Sequence, residues 1–455
     1  MDKFFKLSER GTSVSREIVG GITTFLAMVY ILAVNPSILS GAGIPNLAEG
    51  VLPSWGGVFT ATAISAAIAT LVMGLLANLP IALAPGLGLN AFFSFSVVLG
   101  MGCSWQLALT AVLIEGAFFI ILSLCGIREA ILNSIPETLK RAVAVAMGLF
   151  IAIIGLAGAG IVSGDTGTLI GFVNFDLSHS GAIVACLGLI ITIILYVMNV
   201  PGSVLIGIII TTIIGIPFGV TKVPENFSPV SLPAAPHLFC FDFKGIAFDA
   251  ATGQFSIAVL GKFFVIFFTF LFMDFFDTLG TLLGIANQAN LFNSDGKITN
   301  AKEALLADSI GTVTGACLGT STVTSFAEST SGIVAGARTG LSSIIVSVLF
   351  LFALLFSPVF LLIPSAATAP ALILVGYLMM KSVTKINFQD PTEGIPAFIT
   401  IMVMPFSYSI SKGIVWGVIS YCICKLAARK AKEVPAVTWV LCVIFIANII
   451  FDALK

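Results

Sequence analysis

Six charged residues stand inside stretches that are otherwise apolar: Glu115, Asp274, Asp277, Asp308, Glu328 and Arg338. A carboxylate at the centre of a membrane helix costs about 2.5–3.5 kcal/mol on insertion scales, so it needs a partner or a task. Asp274 and Asp277 are three residues apart, which places both on one face of a helix. They lie in the phenylalanine-rich segment Phe270–Thr281, and Glu328 lies in the hydroxyl-rich segment Gly319–Gly332. Asp277 and Glu328 are the sharpest binding candidates. Asp274 could equally cap or hydrogen-bond a neighbouring helix. Glu115 and Asp308 could relay protons or serve as structural partners, and Arg338 belongs at a cytoplasmic end.

Such groups suit a flat heterocycle better than a metal. A metal site wants three or four ligands and often histidine. His179 and His237 fall near a span end and in a long loop, and none of the eight cysteines has metal-site spacing, Cys422-x-Cys424 included. No metal and no cofactor is expected. A purine edge offers ring N–H and exocyclic NH₂ donors to carboxylates, and its acceptors suit backbone N–H groups. Phenylalanine faces can sandwich the ring. A carboxyl group in a dry pocket can take up a proton and so couple movement to a proton gradient. Three other readings compete. Paired carboxylates could do acid–base work in a membrane-embedded enzyme, but no nucleophile–base pair or nucleotide loop accompanies them. A channel would want a repeated pore ring. An anion carrier would have to overcome repulsion by two buried carboxylates.

Of the 455 residues, 58% are apolar and only 9% are charged. A soluble domain carries about 25% charged residues. That excludes a soluble enzyme, a disordered chain and a nucleic-acid binder; the net charge is −1. A spanning helix needs ~20 apolar residues, so fourteen would use roughly 280. Apolar stretches fall at 18–40, 56–79, 82–100, 105–125, 138–162, 179–198 and 200–220. After a loop they resume at 262–285, 303–318, 320–337, 340–362, 365–380, 393–411 and 412–428. With the N-terminus inside, inside segments hold 16 basic residues, Arg128 and Lys297 among them, against 4 outside, as the positive-inside rule asks. Residues 1–17 are polar and no cleavable signal is expected, so the first span serves as the insertion signal. A further apolar stretch, 436–453, is a bent last span, an interfacial helix or an extra span.

Two groups of seven suggest an internal repeat, and an odd number of spans per copy forces the second copy in upside down. Thr24-Phe25-Leu26-x-Met28 recurs as Thr269-Phe270-Leu271-x-Met273. Ile135-Pro136 precedes Gly148 by twelve residues, and Ile363-Pro364 precedes Gly376 by twelve. The third stretch of each half breaks the helical pattern. Leu83–Phe93 carries Pro and Gly, and Gly319–Gly332 carries Thr and Ser, which favour extended or capped backbone. Non-helical backbone at membrane depth survives only when buried or facing a water-filled cavity. A strand giving way to a half-helix would aim N–H groups at mid-membrane.

Four ordered segments make the chain resemble the AzgA-like purine permeases of the nucleobase–ascorbate transporter group. They are Arg16–Tyr30, Ala84–Phe92, Asp274–Thr281 and Thr320–Gly340. The resemblance implies an all-α polytopic membrane protein of 14 spans in 7+7 inverted repeats, with short antiparallel strands in spans 3 and 10. It implies a core of 1–128 and 262–362, a gate of 129–222 and 363–455, and an extracytoplasmic loop at 223–261. The implied function is import of adenine, guanine or hypoxanthine by proton symport, with core moving against gate. The implied setting is a homodimer in the cytoplasmic (inner) membrane of a bacterium, N-terminus cytoplasmic. An anion carrier of the sulfate or carboxylate type shares the architecture and is the alternative. By the same resemblance the substrate-binding candidates are Asp277 and Glu328, the backbone at Ala91 and Phe92, Asn90 and Thr24. Thr278, Thr281, Ser325 and Phe326 join them, with Asp274, Glu115 and Asp308 for proton coupling.

Overall fold

The computed structural model describes residues 2–453 apart from 43, 45–46, 126–135, 164–170, 177–178, 201, 225–226, 250–252 and 290–299. Arg128, Ile135, Lys297 and the 128/129 boundary lie outside the described residues. The first apolar stretch is one candidate span, Val14–Leu39, built of two consecutive helices, α1 (Val14–Met28) and α2 (Ile31–Leu39). Leu32 and Ala33 make tight i→i−3 bonds to Val29 and Tyr30 at the break. Pro36 follows about one turn on, and its missing N–H weakens the ladder there. Helix α3 (Trp55–Val72) returns to β1 (Leu83–Pro85), then α4 (Leu87–Ala91), which runs on as π-helix to Gly100. There follow α5 (Trp105–Cys125), α6 (Glu137–Gly158), α7 (Ser180–Val197) and α8 (Ser203–Gly215). After the long loop come α9 (Ile257–Ala289), α10 (Ala301–Leu318), β2 (Val323–Ser325), α11 (Ser329–Val334) and α12 (Gly340–Ala353). The chain closes with α13 (Ser365–Met380), α14 (Pro391–Phe406), α15 (Ile410–Ala427) and α16 (Ala436–Ala453).

Among the described residues eight helical stretches are long and apolar enough to cross a bilayer, and two more apolar helices are shorter. This is a multi-pass, helical membrane protein. Two of the fourteen expected stretches fall short of that length or apolarity for physical reasons. Leu87–Gly100 is short because a strand takes up the first part of its crossing. Helix α10 carries Lys302, Glu303 and Asp308 and packs between α3 and α5, so protein rather than lipid surrounds it. The stretch 436–453 forms α16, which lies on α15 with Leu441, Cys442 and Phe445 buried and Val440 and Val443 exposed.

Helices α6 and α13 make the most extensive contact in the fold. They cross at glycines: a β-carbon at Gly148 would stand 2.6 Å from the Gly376 carbonyl oxygen, and one at Gly376 would meet the Gly148 carbonyl in turn. Small residues are what allow backbones this close. Gly376→Ala is expected to destabilise the protein by about 1–3 kcal/mol through overpacking. The unfolding midpoint of the purified protein reads this; an unchanged midpoint would mean the crossing opens freely.

The long loop is tied to the bundle by His237. Its Nε2 accepts the Ser54 backbone N–H at 3.2 Å, and its ring lies edge-on to Trp105. Burial pushes the imidazole below its ordinary value of 6.5. The neutral ring is therefore favoured by folding. Its contribution is complete above about pH 6.5 and is lost as pH falls through the lower folded value. The unfolding midpoint should drop on acidification over that window, and His237→Phe should flatten the drop. A wild-type profile flat across it would refute this role.

Candidate binding site at the strand crossing

Strands β1 and β2 pair antiparallel, with Leu83 opposite Ser325, Ala84 opposite Thr324 and Pro85 opposite Val323. The pairing continues at both ends, where Phe326 N–H donates to Ala82 O (2.9 Å) and Gly86 N–H to Thr322 O (3.0 Å). Paired in this way, extended backbone can sit at membrane depth without orphan polar groups. The side chains anchor it further, each to a different helix. Asn35 of α2 donates to Thr320 (2.9 Å), Ser321 donates to Asn90 of α4, and Thr322 to Glu115 of α5 (3.0 Å). Thr324 meets Thr278 of α9 (2.9 Å), and Ser325 reaches Asp308 of α10 (3.5 Å). The hydroxyl run that breaks the helical pattern in the sequence is thus the hub on which five helices converge.

The five intramembrane carboxylates divide into two sets. Glu115, Asp274 and Asp308 are fully buried. Thr278 joins two of them, its Oγ1 lying 3.1 Å from Asp274 Oδ1 and 2.9 Å from Asp308 Oδ2. Asp277 and Glu328 are instead only partly buried, although the strands beside them are fully buried. Asp277 stands at the first break, where a β-carbon on Gly86 would lie 3.5 Å from its Oδ2. The charges of Asp308 and Glu328 are near enough to act on it. Among the described residues no hydrogen bond reaches Asp277. Glu328 precedes α11, and its side chain accepts from the Tyr30 hydroxyl at 2.5 Å and from its own backbone N–H.

The other candidates take distinct places. Ala91 and Phe92 are buried, and the Phe92 ring meets Phe270 edge-on at 4.8 Å. The Phe92 amide is spent inside the helix on Gly88 and Leu89 oxygens, so the N–H groups left over at this half-helix are those of its first turn, 87–89. Asn90 and Phe326 are both buried. Thr281 is half-buried, one turn beyond Asp277 on the same face. Thr24 is buried with its hydroxyl against Gly332, so it faces α11. Two residues escaped sequence reasoning. Tyr30 reads there as one more aromatic in an apolar run. Glu17 is fully buried and accepts the backbone N–H groups of Arg338 (2.8 Å), Ser342 (3.2 Å) and Thr339 (3.3 Å), capping α12; an acid immediately before the first apolar stretch was the signal. A polar cleft of about 420 Å³ elsewhere is lined by Arg141, Lys385, Asp390 and Glu393. It is an ion-pair network whose buried Lys425 is held by Glu393 (2.7 Å) and Glu433 (3.0 Å).

Residues 15–416 match the Xan_ur_permease family, described as a permease family. The chain is 46% identical to the guanine/hypoxanthine permease PbuG of Bacillus subtilis (strain 168), across 99% of this chain and 100% of that one. It is 38% identical to the adenine permease AdeP of Escherichia coli (strain K12), across 99% and 96%. Among solved structures, the transmembrane domain of the cyanobacterial bicarbonate transporter BicA has a similar fold, with a TM-score of 0.60 at 17% identity, covering 89% of this chain and 97% of that one.

Proposed function

The chain belongs to the Xan_ur_permease family of permeases, and from that premise we propose that it carries purine nucleobases (adenine, guanine or hypoxanthine) across a bacterial cytoplasmic membrane. Membership of a permease family makes it a transporter and removes the membrane-embedded enzyme reading. The observation that carries the substrate reading is Asp277, an accessible carboxylate deep in the bundle with no hydrogen bond from the described residues. A polar group so placed is costly unless a ligand supplies donors. Purine N–H and NH₂ groups supply them at Asp277 and Glu328. The first-turn amides of α4 supply donors in return for a ring nitrogen or carbonyl.

The transport cycle is a shift of a core (1–128 and 262–362) against a gate (129–222 and 363–455), built as seven plus seven inverted spans with the loop 223–261 outside. Two observations support the repeat: β1 and β2 face each other antiparallel, and Gly148 and Gly376 meet at matching places, each twelve residues beyond a proline. The N-terminus is cytoplasmic, the unit a homodimer and the coupling ion a proton, with Asp274, Glu115 and Asp308 as the groups behind the site. The fold likeness to a bicarbonate transporter keeps an anion carrier as the second reading, against which two accessible carboxylates weigh. Uptake of labelled hypoxanthine into proteoliposomes tests both. Unlabelled purines should compete, sulfate and dicarboxylates should not, and a protonophore should slow uptake. Competition by sulfate alone would overturn the purine reading.

A further inference from the structure

We infer that Tyr30 is a positioning residue for substrate binding, aiming the Glu328 carboxylate across the break in the first apolar stretch; this rests on the purine-site reading above. Tyr30 is 1% exposed, and its phenol is otherwise enclosed by apolar neighbours of the main core. Among the described residues Glu328 is the one acceptor its hydroxyl reaches, at 2.5 Å. With the carboxyl ionised and so an acceptor only, Tyr30 donates and Glu328 Oε1 accepts. The length is that of a charge-assisted O–H···O⁻ bond.

Two features make this bond a positioning device rather than general packing. Glu328 occupies the residue before α11 yet makes no side-chain cap to that helix. Its carboxylate is held instead between its own backbone N–H and the Tyr30 hydroxyl at the break between α1 and α2. Tyr30 itself sits at the break between those helices, where Ala33 and Val34 amides both bond its carbonyl. The break sets the ring's height in the membrane, and the ring sets the carboxylate's. With Oε1 engaged, the side chain offers only acceptor lone pairs to a ligand. The purine edge facing it must then present an N–H. Without the phenol, Glu328 is free to fold back onto the α11 amides, and the substrate loses a pre-aimed acceptor.

The test is a double-mutant cycle read as equilibrium binding of labelled hypoxanthine to the purified protein. Tyr30→Phe should weaken binding about tenfold in the wild-type background and less than about twofold in the Glu328→Gln background, since the first step costs a charge-assisted bond and the second has none to lose. In proteoliposomes Tyr30→Phe should raise KM with little change in maximal rate. Equal losses in both backgrounds, or a fall in maximal rate with KM unchanged, would overturn the inference while leaving the purine site standing. Wild-type protein that binds no purine would instead sink the reading beneath it, and this inference with it. If Tyr30→Phe does not fold, 3-fluorotyrosine at position 30 keeps the ring's shape and strengthens the donor; a KM that shifts supports the inference, and one that stays put overturns it.

Discussion

Asp277→Asn is expected to reduce purine uptake to background while the protein still reaches the membrane. The carboxylate is partly buried at the strand crossing and carries no bond from the described residues, so the substitution breaks no hydrogen bond among them. What it removes is charge and half of the acceptor capacity. A hydrogen bond to a charged group contributes about 1.5–3 kcal/mol, which is roughly tenfold to a hundredfold in affinity. The amide also turns an N–H toward a substrate N–H, and that clash adds to the loss. Glu328→Gln should act the same way. Uptake assays paired with surface or membrane quantification measure both. Full-rate transport by both variants at normal abundance would show that purines are held elsewhere.

Thr278→Val should be the most damaging exchange of nearly equal volume in the bundle. Its hydroxyl is fully buried and stands within hydrogen-bond reach of Asp274, Asp308 and Thr324. A methyl group there removes the one proton of that hydroxyl, which either buried carboxylate can accept, and that shortfall costs about 1–3 kcal/mol. It also severs the link between α9 and β2, so the strand that lies beside Asp277 loses an anchor. The expected result is a clear fall in the unfolding midpoint together with at least about tenfold loss of uptake. Thr278→Ser keeps the hydroxyl and should restore most of both. A valine variant as stable and active as wild type would show that the network carries no load.

Much of this was legible in the chain alone. Few charges on a long apolar sequence leave membrane burial as the only way to hide so much apolar surface. The two interrupted stretches announced themselves through Pro85, Gly86 and Gly88 and through the hydroxyls from Thr320 to Ser325, because helix propensity is a local property. The acids at 274, 277, 308 and 328 stood out for the same reason: lipid makes every buried charge conspicuous. Local chemistry is silent, however, on which acid meets which donor. Asp274 and Asp277 share one helical face in the sequence, yet one is buried beside the Thr278 hydroxyl and the other is only partly buried. Tyr30 and Glu328 lie 298 residues apart, and Glu17 finds its amides more than 300 residues away. Those partnerships exist only once helices from opposite ends of the chain have packed, because a hydrogen bond a few ångströms long is settled by the meeting of surfaces and not by anything either residue carries alone.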